Sequence, residues 1–384
     1  MRKIGVVTTG RSDYGLYYPI LKKIIASPRL KLLLYVTGMH LSAQYGNTIR
    51  FIKGDGFPIT AQVKVLSSAS PEDIAKAMGK GTAGFARVFK GNRPDILVVL
   101  GDRFEMHAAA VAAVPFKIPI AHIHGGEVSY GSFDEYFRHS LTKLSHLHFA
   151  ATEVYARRIK QMGEEPWRVI VSGAPGLDNI LNMPRHSRSK LKEQFKINLS
   201  KPVLLVTFHP VTMEYEKTRT YILTFLNILS FYRDYTIVFT HPNSDTASSI
   251  ITKEIKSFVE RHRNSYLVDN FGQKGYLSMM ENAAAMIGNS SSGIIEASSF
   301  KLPVVNIGTR QEGRIKNKNV IDVGYKASEI KRGIDKALSP SFRRSLKDLK
   351  NIYGDGKASH RIVSVLSKID LEKIRHKRFY DLKS

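Results

Sequence analysis

The sequence contains no cysteine, which excludes disulfides and thiolate metal sites and suits a reducing compartment. Long apolar runs are also missing. The stretch Ala108–Phe116 falls far short of the roughly 20 residues that span a bilayer. The apolar part of the opening MRKIGVVTTG ends too soon for a signal peptide. A cytoplasmic protein with no membrane partner is expected. No G-x-x-x-x-G-K-[ST] is present, so there is no P-loop, and no G-x-G-x-x-G supports NAD. In His122-Ile-His124 the two imidazoles share one strand face, but a third ligand is wanting; neither a metal nor a cofactor is expected. Acidic residues are scarce, with 33 Asp and Glu against 58 Lys and Arg, for a net charge of +25. Such an excess fits nucleic acid, anionic lipid or anionic small molecules. The basic residues are scattered and no nucleic-acid motif accompanies them, so an anionic small molecule is expected and nucleic acid is not.

What is present is ordinary for a globular protein, 43% apolar and 24% charged over 384 residues, a length that favours two domains. Short apolar runs alternate with helical patterns. The expected strands are Arg2–Thr8, Lys31–Thr37, Ile96–Leu100, Ile118–Ile123, His148–Ala151 and Arg168–Ser172. From Gly173 to Ser200 the pattern loosens, and a second series follows at Val203–Phe208, Thr236–Thr240, Tyr266–Val268, Ala285–Gly288 and Val304–Ile307. This alternation predicts an α/β protein of two Rossmann-like domains facing a cleft. Their expected bounds are 1–180 and 181–365, with a basic helical stretch at 366–384 crossing back to the first.

The densest chemistry lies in Asp95–Asp134. Ile96–Leu100 and Ile118–Ile123 read as buried parallel strands joined by an alanine-rich helix. Gly101-Asp102-Arg103 ends the first strand and His122-Ile-His-Gly-Gly-Glu127 ends the second. Ligands of open parallel sheets bind at those ends, so Asp102, Arg103, His122, His124, Glu127, Asp134 and Glu135 are aimed at one crevice.

Three further turns suit a diphosphate. In Met286–Ser298, strand, polar turn and helix place Gly288, Asn289 and three serines where backbone N–H groups gather, with Glu296 one to two turns into the helix. Thr8–Gly15 carries Arg11, whose planar fork matches phosphate. Gly308–Arg314 carries Arg310 and Arg314, the latter read as a surface charge. His209 and His241 end two strands alike, in FHP and THP.

Taken in order, Arg11-Ser-Asp-Tyr14, TGMH (Thr37–His40), GDRFE, HIHGGE, the segment Phe133–Lys143, FHPVT (Phe208–Thr212), THPN (Thr240–Asn243), IGNSSSG, NIGTRQEGR (Asn306–Arg314) and YGDG (Tyr353–Gly356) run along most of the chain. Together they resemble the UDP-N-acetylglucosamine 2-epimerases, specifically the hydrolysing branch of sialic-acid and related nonulosonic-acid synthesis. The resemblance implies a glycosyltransferase-B-like fold with UDP held mainly by the second domain, and a homodimer or homotetramer. It implies loss of UDP from C1 with removal of the C2 proton, then addition of water to the 2-acetamidoglycal, without NAD or an essential metal. By position it implies Asp102 and Asp134 as acid–base residues, His209 near the diphosphate and sugar, and Arg103 in the substrate site. Arg11, Asn243, Ser290, Ser291, Glu296 and Arg310 match binding positions, with Asp13 and Phe271 as candidates beside them. One departure stands out. Many relatives have glutamate at the third position of HIEGGE, where this chain has His124, so the third acid–base group is either His124 or Glu127.

UDP-N-acetylglucosamine is the default substrate and a UDP-2,4-diacetamido-2,4,6-trideoxyhexose the alternative. A non-hydrolysing epimerase, a retaining glycosyltransferase of the same fold and a nucleotide-sugar-binding protein are the competing functions.

Overall fold

The computed structural model describes residues 1–43, 46–65, 71–128, 130, 134–242 and 247–382. They fall into two compact units, the first made of Met1–Glu127, Phe133–Leu181 and Tyr353–Ser384, the second of Val128–Ser132 and Asn182–Ile352.

The first unit is built on a seven-stranded sheet: β1 (Arg2–Thr8), β2 (Leu30–Thr37), β3 (Ile59–Val63), β4 (Ile96–Leu100), β5 (Ile120–Ile123), β6 (Leu147–Ala150) and β7 (Val169–Val171), in the order β3-β2-β1-β4-β5-β6-β7. Every pairing is parallel. β4 and β5 are buried along their whole length, which is why β4 is continuously apolar rather than alternating and β5 carries one polar residue, His122, whose ring is hydrogen-bonded to the Gly101 carbonyl. The second unit has β8 (Val203–Thr207), β9 (Thr236–Thr240), β10 (Ser265–Val268), β11 (Ala283–Gly288), β12 (Val304–Ile307) and β13 (Val320–Val323), also all parallel, in the order β10-β9-β8-β11-β12-β13. Both are doubly wound α/β sheets. Strand order reverses between β1 and β4 in one and between β8 and β11 in the other. At such a reversal the connecting loops diverge and leave a crevice. The connections after β1, β4, β8 and β11 carry Arg11, at the start of the following helix, and Asp102, His209 and Ser290.

Four features differ from the sequence reading. β3 and β13 were not expected. Both are edge strands and only partly buried, so they lack a continuous apolar run. The loose stretch after Gly173 holds two helices, Gly176–Asn182 and Arg188–Phe195. The return to the first unit begins at Tyr353, well before residue 366. Tyr353 is anchored there by its carbonyl, which accepts from the Ala174 N–H at 2.8 Å, and by its hydroxyl, 3.1 Å from that of Tyr155. Asp178 then caps the following helix, Ala358–Lys368, accepting from the N–H groups of Ala358 and Ser359 at 2.9 and 2.7 Å. That helix contributes Ile362, Val363 and Leu366 to the core of the first unit. After a short helix at Leu371–Arg375 the described residues 376–382 are not helical, whereas the stretch Ala358–Ser384 was expected to be helical.

Candidate active site

In the first unit the helix Asp134–Leu144 fastens the two loops that carry the carboxylates. Asp134, Arg138 and Thr142 are four residues apart and share one helix face. Arg138 is buried, and its Nη2 donates to Asp102 Oδ2. Its Nη1 donates to the His124 carbonyl at 3.3 Å and lies 3.9 Å from Glu127 Oε2. Burial disfavours the Arg138 charge, but Asp102, Glu127, Glu135 and Asp134 outweigh it and hold the guanidinium protonated. One turn on, the Thr142 hydroxyl lies 3.2 Å from Nδ1 of His122, whose Nε2 donates to the Gly101 carbonyl at 2.8 Å. Burial pushes His122 down to about 3, so it stays neutral and pins the loop that presents Asp102.

His124 follows β5 with φ +63, a left-handed backbone that a residue with a side chain seldom adopts. Its Nδ1 lies 2.6 Å from Glu127 Oε1, and both side chains are buried. The next glycines permit the turn: at Gly126, φ +74, a Cβ would lie 2.5 Å from the Tyr155 carbonyl. Asp102 remains partly exposed, and Asp134 opens its helix, also partly exposed. Arg103 lies 3.3 Å from the fully buried Glu105 through both Nε and Nη2, and Asp134 and Asp13 add to the field that keeps it charged.

Asp13, expected as a binding residue, is buried. Its carboxylate folds back on the β1 turn and accepts from the N–H groups of Thr9 and Gly10 at 2.8 and 2.7 Å, and from the Thr8 hydroxyl at 2.8 Å. These bonds cap the helix Arg11–Ile25. They oppose, but do not cancel, the upward push of burial on its carboxyl. Arg11 itself is exposed and stacks 5.0 Å over the Phe51 ring.

In the second unit Asn289 organises the site. Its side chain accepts from the His209 N–H at 2.7 Å and donates to the His209 carbonyl at 2.8 Å, joining the loops after β8 and β11. Its own carbonyl accepts from Gln311 Nε2 at 2.9 Å and Arg310 Nη1 at 3.2 Å. Burial first, and then the Arg310 charge, push His209 well below the usual imidazole range, so it is neutral near pH 7. Ser290 caps a helix of only five residues, Ser291–Ile295, and Glu296 stands at its C-terminal end rather than one to two turns inside a longer one. A helix so short contributes little macrodipole, so an anion here depends on the serine hydroxyls and on cations. Burial pushes the Glu296 carboxyl up, against a hydrogen bond with Ser292.

Phe271 is buried at the start of the helix Gly272–Asn282, its ring 4.7 Å from that of Phe195. On the same helix Tyr276 was missed in the sequence. Its hydroxyl is hydrogen-bonded with Ser290, Ser292 and Thr207, and burial together with Glu296 pushes it up to about 12. Nothing in its local sequence signals this, because the three hydroxyls come from other elements. Among the described residues His241 pairs with the exposed Asp269, at 2.9 Å. Asn243 lies outside the described residues. Among the described residues no three His, Asp or Glu are grouped to hold a metal, and no helix is long and apolar enough to cross a membrane.

The family profile described as UDP-N-acetylglucosamine 2-epimerase matches residues 22–367. The chain belongs to the UDP-N-acetylglucosamine 2-epimerase family. Within it the chain groups with the hydrolysing branch. It is 40% identical over 375 residues, 97% of each chain, to the UDP-N,N'-diacetylbacillosamine 2-epimerase (hydrolyzing) of Legionella pneumophila. It is 35% identical over 384 residues, 99% of each chain, to the GDP/UDP-N,N'-diacetylbacillosamine 2-epimerase (hydrolyzing) of Campylobacter jejuni. The crystal structure of UDP-GlcNAc 2-epimerase from Neisseria meningitidis bound to UDP-GlcNAc superposes with a TM-score of 0.83, at 20% identity over 95% of this chain and 99% of that one. This last likeness bears on the fold, which is the glycosyltransferase-B-like arrangement of two parallel α/β sheets expected for the family.

Proposed function

We propose that this epimerase hydrolyses UDP-N,N'-diacetylbacillosamine, a UDP-2,4-diacetamido-2,4,6-trideoxyhexose, to UDP and the free sugar inverted at C2. The observation that carries the choice of sugar is the end-to-end match to the Legionella enzyme, with 97% of each chain aligned. UDP-N-acetylglucosamine, giving N-acetylmannosamine, is the second reading, supported by the description of the family profile.

In the first step a base takes the C2 proton while the C1–O bond breaks and UDP leaves with the electron pair, forming the 2-acetamidoglycal. In the second, C2 is reprotonated on the opposite face and hydroxide adds at C1. The C2 proton of a 2-acetamido sugar is not acidic, so positioned acid–base groups are required. Asp102 and Asp134 are those groups in this reading, in the first unit, with Arg103 binding the sugar. Arg310, Ser290, Ser291, Glu296, Phe271 and Asn243 hold the nucleotide in the second, with His209 at the diphosphate. Arg11 adds a cation. Departure of UDP depends on such cations and N–H donors rather than on a strong acid.

The two UDP-sugars, offered side by side in D2O and followed by NMR, test this. The expected result is UDP release without any acceptor, deuterium at C2 of the free product, and a higher kcat/KM for the diacetamido sugar. An epimeric UDP-sugar with no free UDP overturns the hydrolytic reading. A preference for UDP-N-acetylglucosamine overturns the choice of sugar.

A further inference from the structure

The proposed chemistry leaves its third acid–base group open between His124 and Glu127, and the inference here rests on that chemistry. The two side chains are not equivalent. Glu127 is 2% exposed, spends Oε1 on His124 Nδ1 at 2.6 Å and turns Oε2 toward the Arg138 guanidinium at 3.9 Å. A carboxylate accepts only, so in the neutral imidazole the proton sits on Nδ1 and the lone pair on Nε2. His124 is 6% exposed, and its Nε2 is buried with no hydrogen-bond partner among the described residues. A buried ring nitrogen left unpaired is costly in a folded protein and calls for a use. The backbone that carries the ring is held on both sides. The His124 N–H donates to the Phe149 carbonyl at 3.2 Å, and the His124 carbonyl accepts from Arg138 Nη1 at 3.3 Å. Its left-handed φ of +63 is a strained conformation of the kind found where side-chain direction is part of function.

We propose that Nε2 of His124 is the third proton-handling atom of the reaction, that Glu127 positions its ring, and that Arg138 positions Asp102 against it. Arg138 binds Asp102 through Nη2 and the His124 carbonyl through Nη1, so one rigid fork sets the spacing between the loops after β4 and β5. The orienting carboxylate fixes tautomer and ring direction, as the third group of a nucleophile–base–orienter set does elsewhere.

Turnover, KM and thermal protection by UDP, measured on five variants with whichever UDP-sugar the wild type hydrolyses, decide the matter. His124→Ala and His124→Gln are each expected to lose about a hundredfold or more in kcat. Gln keeps an N–H for Glu127 but transfers no proton, so it tests the ring chemistry even if the alanine variant folds poorly. Glu127→Gln, whose amide oxygen still accepts from Nδ1, is expected to stay within about tenfold of wild type. Arg138→Lys should lower kcat about tenfold with KM unchanged, and Arg138→Met should lower it further, while UDP protection persists in both. A larger loss in Glu127→Gln than in His124→Gln overturns the assignment of Nε2. A rise in KM with kcat unchanged in the Arg138 variants overturns its positioning role. Asp102→Asn serves as the reference. If it retains normal turnover, the placement of the epimerase chemistry fails; if it is inactive while His124→Gln is normal, only the present inference fails.

Discussion

Replacing Gly288 by alanine tests whether the second unit's site depends on one close backbone approach. Gly288 ends β11 opposite Thr207 of β8, at φ +132, where a side chain is strained. A Cβ there would lie 1.9 Å from the Thr207 carbonyl oxygen. The same oxygen accepts the Asn289 N–H at 3.0 Å, so it cannot move aside without breaking that bond. Backbone strain of this kind costs about 1–3 kcal/mol, and leaving a buried N–H unpaired costs about 1–3 kcal/mol more. A loss of about 2–6 kcal/mol is therefore expected, a large fraction of the ~5–15 kcal/mol that holds a typical domain folded. The damage should be functional as well, because Asn289 fixes His209, Arg310 and Gln311. Urea unfolding with and without UDP reads both effects: a lower midpoint and a smaller shift on adding UDP. Gly79→Ala is the control. It is exposed within the helix Pro71–Gly91, no atom would lie within 4 Å of its Cβ, and a gain of about 0.5–1 kcal/mol is expected. A Gly288→Ala loss below about 1 kcal/mol, with UDP binding intact, would refute the reasoning.

Thermal protection by UDP should be weakened by Ser290→Ala and by Glu296→Ala and left unchanged by Asp102→Asn; equal protection in all three removes the nucleotide from the GNSSSG loop. Acid stability should depend on Glu164, a buried carboxylate 2.6 Å from Lys143, 2.9 Å from His148 and 2.9 Å from Lys377. Burial opposes its charge, but these partners hold it at about 2 against an ordinary 4.5. The unfolded chain then binds the proton more tightly, so the stabilisation is complete above about 4.5 and is lost as the pH falls toward about 2. Unfolding followed over that window should show a flatter acid limb in Glu164→Gln, and an unchanged limb would rule this source out.

The parts of the molecule that were legible in the sequence are those where one physical demand acts alone. β4 and β5 must bury both faces, so their residues are apolar except His122, and the polar, glycine-bounded turns that follow them have to lie at the sheet edge. The edge strands β3 and β13 answer to solvent on one side and to a neighbour on the other, and their composition shows neither demand cleanly. Asp13 illustrates a second limit. An aspartate three residues after a glycine suits a ligand contact and a helix cap equally well, and only the short bonds to Thr9 and Gly10 reveal the cap. Arg138 illustrates a third. Its spacing from Asp134 and Thr142 is visible in the sequence as one helix face, but the partners of that face, Asp102 and His122, come from strands whose distance from the helix no local pattern encodes. The same separation explains why residue identity alone left His124 and Glu127 undivided. Two ionisable groups three residues apart come within 2.6 Å through Nδ1 and Oε1 when the turn between them takes φ +63 at His124 and φ +74 at Gly126. The glycines of that turn are legible; the left-handed histidine is not, because the tertiary bonds to Phe149 and Arg138 impose it against the residue's own preference.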